Sequence, residues 1–78
     1  MPTLAVEHIP QAVSVTFTSD ELVVLLADGR RIAVPKTWFP RLEQATAEQL
    51  AHYELLGDGE GLHWPDLDED ISVAGLLR

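Results

Sequence analysis

Residues 22–34 hold two β-prone runs, Leu22–Ala27 and Arg30–Val34, joined by Asp28-Gly29. An Asp-Gly pair in that setting is a strong hairpin signal, because a two-residue type I′ turn needs positive φ at both central positions. Just upstream, Val13-Ser14-Val15-Thr16-Phe17 alternates apolar and polar residues, the pattern of a strand with one buried face. The three runs predict an antiparallel β-meander. A two-residue Asp-Gly turn sets Ala27 opposite Arg30, Leu25 opposite Ile32 and Val23 opposite Val34. With Ser19-Asp20-Glu21 as a three-residue first loop, Phe17 opposes Val23, Val15 opposes Leu25, and Val13, Val15 and Phe17 join the same face. A two-residue first loop places them instead with Leu22, Val24 and Leu26, since a one-residue slip turns every side chain over. The three-residue loop is preferred because it gathers one coherent core. Either way the middle strand is apolar on both faces, so a helix, the N-terminal segment or another subunit must cover the second. Leu4-Ala5-Val6 supplies a candidate further strand, ended by Pro10.

After Pro35 the pattern becomes helical. Thr37 caps a short helix holding Trp38, Phe39 and Leu42, with Pro40 in its first turn, where a missing N–H costs nothing. Thr46-Ala47-Glu48-Gln49 reads as a capping box, and the helix it opens is expected to run to about Leu56 with Gly57 as its stop. Asp58-Gly59-Glu60-Gly61 reads as a turn and Leu62-His63-Trp64 as a short extended piece. Asp70 is expected to cap a last helix over 71–77. The expected fold class is α+β: a small antiparallel β-meander of three or four strands, followed by two or three short helices packed on one face. The chain reads as a single domain over 1–78.

Size bears on how such a fold holds together. A 78-residue chain without cysteine has no disulfide scaffold and no thiolate metal site. A domain this short buries only ~60% of its unfolded surface, so it relies on good packing or pairing. No apolar run approaches the ~18 residues of a membrane span, and no basic-then-apolar leader opens the chain. The expected location is cytoplasmic, with no membrane partner.

Charge is distributed unevenly. Residues 1–42 carry four acids and four bases, whereas 43–78 carry nine acids and one base, and so hold the whole net charge of −8. Seven acids fall within 54–70: Glu54, Asp58, Glu60, Asp66, Asp68, Glu69 and Asp70. Such a field repels nucleic-acid phosphates and speeds encounter with basic partners, and it also keeps a small protein soluble. Arg30, Arg31, Lys36 and Arg41 form a small counter-patch, but no aromatic stacking run accompanies it, and direct nucleic-acid binding is not expected.

Chemistry finds little to work with. Asp66, Asp68 and Asp70 open a calcium-loop spacing, but the sixth position is Ile71 where Gly is needed, and the twelfth is Leu77 where Glu is needed. Gly57, Gly59 and Gly61 follow a helical pattern and carry two acids between them, which unfits them for phosphate. His8, His52 and His63 lack metal-ligand spacing, although His63 is placed to donate to Asp66 or Asp68. There is no cysteine, and no motif sets Ser14 or Ser72 beside a histidine. The residues therefore point to no enzyme, no metal and no cofactor. Trp38, Phe39 and Trp64 are interface anchors on one reading and packed core on the other, since a small chain needs its large side chains inside.

From Asp28 onward the sequence resembles DUF2442, a family of small bacterial domains of unknown function. The resemblance is carried by Asp28-Gly29-Arg30, Val34-Pro35, Trp38-Phe39-Pro40-Arg41-Leu42, Ala45-Thr46 and Gly61-Leu62-His63-Trp64-Pro65. It continues through Leu67-Asp68-Glu69-Asp70-Ile71-Ser72-Val73 and Gly75-Leu76-Leu77. It covers nearly the whole chain and is loosest over 1–12. The resemblance implies an α+β domain, alone or joined to a helix-turn-helix unit, and genes often paired in a toxin–antitoxin-like arrangement. It carries over no catalytic residue, and a chain of this length has no room for a helix-turn-helix.

Together these features favour a non-catalytic acidic module that binds a basic protein as its regulatory or inhibitory, antitoxin-like partner. The candidate contact residues are Trp38, Trp64, Asp58, Glu60, Asp66, Asp68 and Glu69. The alternatives are a nucleic-acid-mimicking inhibitor, such as an anti-CRISPR protein, and a structural homodimer that buries the second sheet face.

Overall fold

A computed structural model describes residues 10–77. Strands β1 (Ala12–Phe17), β2 (Glu21–Leu26) and β3 (Arg31–Pro35) form the expected antiparallel meander in the order β1-β2-β3. A 3-10 turn (Lys36–Trp38) then leads into two short helices, α1 (Pro40–Glu43) and α2 (Ala47–Ala51). A second antiparallel meander follows: β4 (Glu54–Leu56), β5 (Gly61–Trp64) and β6 (Glu69–Ser72), in the order β4-β5-β6. Helix α3 (Val73–Leu76) ends the described chain. The α+β class and the first meander are as the sequence predicts. The candidate strand over Leu4-Ala5-Val6 lies outside the described residues.

The register of the first meander corrects the sequence expectation. Leu22 opposes Val34 and Val24 opposes Ile32, whereas Val15 opposes Val24 and Phe17 opposes Leu22. Both loops differ by one residue from expectation, and each difference has a local cause. The Thr18 hydroxyl accepts the Glu21 N–H at 2.9 Å, and the Thr18 N–H donates to the Glu21 carbonyl at 2.9 Å, which leaves Ser19-Asp20 as a two-residue loop. At the second turn the Asp28 carboxylate accepts the Arg30 N–H at 3.0 Å, and pairing moves out to Leu26, whose N–H donates to the Arg30 carbonyl at 2.8 Å. The result is a three-residue loop, Ala27-Asp28-Gly29, with Gly29 at φ +93°. The core face is therefore Leu22, Val24 and Leu26 with Val15, Ile32 and Val34, all buried, while Leu25 faces outward. A bulge between Ala12 and Ser14 turns Val13 to solvent.

Three helical expectations are also overturned. Thr37 caps no helix: it lies inside the 3-10 turn, and α1 starts after Phe39 with no side-chain cap. The capping box forms as predicted, with reciprocal Thr46 and Gln49 bonds of 3.1 and 3.0 Å, but the helix stops at Ala51. Five residues give little intrinsic helix stability. Tyr53 instead turns its hydroxyl to accept the Val15 N–H at 3.1 Å, and Glu54–Leu56 pair with β5. Likewise Asp70 lies inside β6, and the cap of α3 is Ser72, whose hydroxyl accepts the Gly75 N–H at 3.2 Å.

Both meanders share one core. Leu62, Trp64 and Ile71 from the second pack with the Leu22 face of the first, and Leu42, Leu50 and Val73 from the helices join them. Trp64 is fully buried, its indole N–H donates to the Leu50 carbonyl at 3.1 Å, and Phe17 meets it edge-on at 6.2 Å. The joint between the meanders is made of backbone: the Ala12 N–H donates to the Gly59 carbonyl at 2.7 Å.

Candidate functional site

The second meander turns its buried alternate residues inward and its polar ones outward. Across the three strands Glu54 stands opposite His63 and His63 opposite Asp70, so one outward row alternates acid, imidazole and acid. His63 Nδ1 hydrogen-bonds Asp70 Oδ1. His52, just past the end of α2, reaches Asp66 Oδ2 at 2.8 Å. Asp66 thus belongs to His52, and His63 pairs with Asp70, not with Asp66 or Asp68.

The turn from β5 to β6 is Pro65-Asp66-Leu67-Asp68, with Trp64 opposite Glu69. Asp68 takes φ +53°, the left-handed region that aspartate tolerates better than most residues. Arg41 of α1 clamps this turn: its guanidinium donates to the Asp68 carbonyl at 2.5 Å and stands 4.0 Å from Glu69 Oε1. Part of the acidic run is therefore internally partnered, through Asp66, Glu69 and Asp70. The carboxylates of Asp58, Glu60 and Asp68 are exposed with no ion-pair partner among the described residues.

The paired histidines hold their protons above the ordinary value of 6.5. The Asp66 hydrogen bond is the main cause for His52 and the Asp70 hydrogen bond for His63, with Glu54 adding a weaker pull on both. A raised folded-state pKa gives stabilisation that is fully present below 6.5 and fades as pH rises through the raised value. Imidazole NMR titration checks this: Asp70→Asn should return the His63 pKa towards 6.5 and remove the loss of stability just above that pH.

Of the two candidate tryptophan anchors the structure separates one from the other. Trp64 has no exposed surface, so it is a core side chain and offers a partner nothing to touch. Trp38 is 59% exposed. It borders a groove of about 400 Å³ lined by Phe39, Asp70, Ile71, Ser72, Gly75 and Leu76. Replacing Trp38 with Ala should change unfolding free energy by no more than about 0.5 kcal/mol, as for other exposed positions, which denaturant titration would read directly.

The groove, the Arg41 clamp and the His52 pairing are not legible from the residues alone, because each joins side chains or backbone far apart along the chain. One signal was present: Asp70-Ile71-Ser72-Val73 alternates polar and apolar as Val13–Phe17 does. Among the described residues no group of three or more metal-ligating side chains converges, and no helix is long and apolar enough to cross a membrane.

The chain matches the family described as DUF2442, protein of unknown function, over residues 12–78. Among solved structures it is similar to a protein of unknown function from Rhodospirillum rubrum, with 38% identity, a TM-score of 0.73, and coverage of 87% of this chain and 84% of that one. An uncharacterized protein of Chromobacterium violaceum, solved by NMR, is 32% identical with a TM-score of 0.72, covering 86% of this chain and 63% of that one. No curated protein matches the chain. With the match extending from β1 through α3, and with the Trp64–Pro65 turn and the β6 strand inside it, the chain belongs to the DUF2442 family.

Proposed function

We propose that this protein is a non-catalytic module that binds a basic protein and regulates or inhibits it, in the manner of an antitoxin. The observation that carries the reading is the one-sidedness of the second meander. Residues 54–77 hold seven acids and no lysine or arginine, and one of those acids, Asp70, lines a groove with Ile71, Ser72, Gly75, Leu76, Phe39 and the exposed Trp38. Long-range attraction from such a surface speeds encounter, and an exposed aromatic beside it supplies apolar contact area.

The test is retention of host proteins on the immobilised chain at low and high salt, compared with the variant Asp58→Lys, Glu60→Lys, Asp68→Asn. These three side chains make no ion pair in the fold, and Asn tolerates the φ of +53° at position 68, so the His52, His63 and Arg41 contacts stay in place. The expected result is a basic protein that is released by salt and is not retained by the variant. Equal retention by both forms would refute charge-steered binding. Excess nucleic acid added to the complex separates this reading from mimicry, because a mimic must be displaced by what it imitates.

A further inference from the structure

An open strand edge is a template for pairing with another chain, and small β proteins usually block theirs. Three edges here are managed. The β1 edge is occupied: Ala12 donates to the Gly59 carbonyl and Val15 to the Tyr53 hydroxyl. Strand β3 begins at Arg31 and ends at Pro35, a charge and a residue without an N–H. Strand β4 is only three residues long.

Strand β6 differs. The Val73 N–H donates to the Glu60 carbonyl at 3.0 Å, which sets the phase of the ladder. In an antiparallel pair, residues alternate between exchanging hydrogen bonds with the neighbour and pointing their backbone groups away. Val73, Ile71 and Glu69 therefore face β5. The Asp70 N–H and carbonyl and the Ser72 N–H point away from it, and no backbone partner meets these groups among the described residues. That open side is where the groove lies. Asp70, Ile71 and Ser72 form one wall, and Trp38 and Phe39 line it with them. Four strand residues offer about 13 Å of edge at ~3.3 Å per residue.

We propose that this groove receives an extended, lysine- or arginine-bearing segment of a partner protein as an added strand on β6. The inference rests on the reading of the protein as a module for a basic partner, and gives that reading a binding mode. Main-chain hydrogen bonds to Asp70 and Ser72 supply affinity, and alternate side chains of the guest supply specificity, as in other strand-addition complexes. Charge complementarity selects the guest: Asp70, which lines the groove, lies in a 54–77 segment with seven acids and no lysine or arginine, and the nearby Arg41 guanidinium is taken up by the Asp68 carbonyl and Glu69. Every second guest side chain points towards the Trp38 side or away from it, so basic residues are expected at alternate positions with an apolar or aromatic residue between them.

The test is selection from a random display library of ten-residue peptides on the full chain at low salt. The strongest peptide is then followed by amide NMR. The expected result is enrichment of peptides with alternating basic residues and no central proline. On binding, the Asp70 and Ser72 amides should shift and exchange at least 10-fold more slowly, and Trp38→Ala should weaken binding about 10-fold or more, as for an interface aromatic. Basic peptides without alternation, tolerant of proline and indifferent to Trp38→Ala, would overturn strand addition while leaving the charge reading standing. No enrichment of basic peptides at low salt would overturn both. A concentration-dependent dimer dissolved by Trp38→Ala would assign the groove to a second copy, and would likewise overturn the proposal.

Discussion

Replacing Gly59 with Ala should cost the fold about 3 kcal/mol or more, the largest effect expected of alanine at any glycine of this chain. Gly59 is buried at φ +96°, outside the range that side chains accept readily. A Cβ there would overlap the Ala12 carbonyl oxygen and come to 2.8 Å from the Ala12 nitrogen. Those neighbours are backbone, and the Ala12 N–H is already committed to the Gly59 carbonyl. The strand cannot yield without opening the joint between the two meanders. Gly29 is a nearly matched control: its φ is +93°, but nothing lies within 4 Å of a Cβ added to it. The Gly29→Ala variant should show the backbone strain alone, and Gly59→Ala should exceed it by about 1–3 kcal/mol, the usual range for an overpacked site. For a domain of this size a 3 kcal/mol loss lowers Tm by roughly 12–24 °C. Thermal unfolding of the two variants side by side reads the difference, and equal Tm values would show that the joint is soft.

Truncating Trp64 to Ala should cost about 3–5 kcal/mol, the range for deleting a large buried aromatic. The indole is fully buried against Phe17 and Tyr53, and its N–H is the partner of the Leu50 carbonyl. Loss of the ring opens a cavity between both meanders and α2, and also leaves that carbonyl without its donor. Small domains have 5–15 kcal/mol of stability in all, so much of the folded population is expected to vanish. Trp64→Phe refills most of the volume and should recover part of the loss, with the missing hydrogen bond as the remainder. The fluorescence of Trp38→Phe, whose only tryptophan is then Trp64, follows the transition: buried emission in the native state, shifting red on unfolding. Wild-type-like denaturation of Trp64→Ala would contradict the placement of this residue at the centre of the core.

What could be read from the residues divides along a physical line. Local chemistry was legible. The first three strands, the capping box at Thr46 and Gln49, and Pro40 at the start of α1 all follow from side chains acting on neighbouring backbone. The register was less so, because two one-residue choices at Thr18 and Asp28 decide it, and each is made by a single side chain capturing one N–H. Least legible were β4 and β6. The stretch 46–56 carries a helix-opening signal, but Tyr53 and the β4–β5 pairing draw its second half into a sheet that depends on residues far along the chain. The candidate site suffered accordingly. The acids were visible as a run, and Trp38 as an exposed anchor was one of two readings. Their meeting in one groove depends on β6 being a strand with an open edge.

The acidic run is best understood as two populations. Asp66, Glu69 and Asp70 bind His52, Arg41 and His63 and hold the last hairpin in place. Glu54, Asp58, Glu60 and Asp68 make no ion pair among the described residues and contribute field. Asp58 and Glu60 are the positions where charge can be reversed while the fold is kept, and Asp68, at φ +53°, is one where it can be removed with Asn. The central claim, that this field steers a basic protein to the second meander, is tested most directly by the association rate with the protein recovered from its host, measured by stopped flow across ionic strength. For the wild-type chain the rate should fall steeply as salt rises. For Asp58→Lys, Glu60→Lys, Asp68→Asn it should be about 10-fold lower at low salt and nearly flat thereafter. Equal rates and equal salt dependence in the two chains would contradict the account.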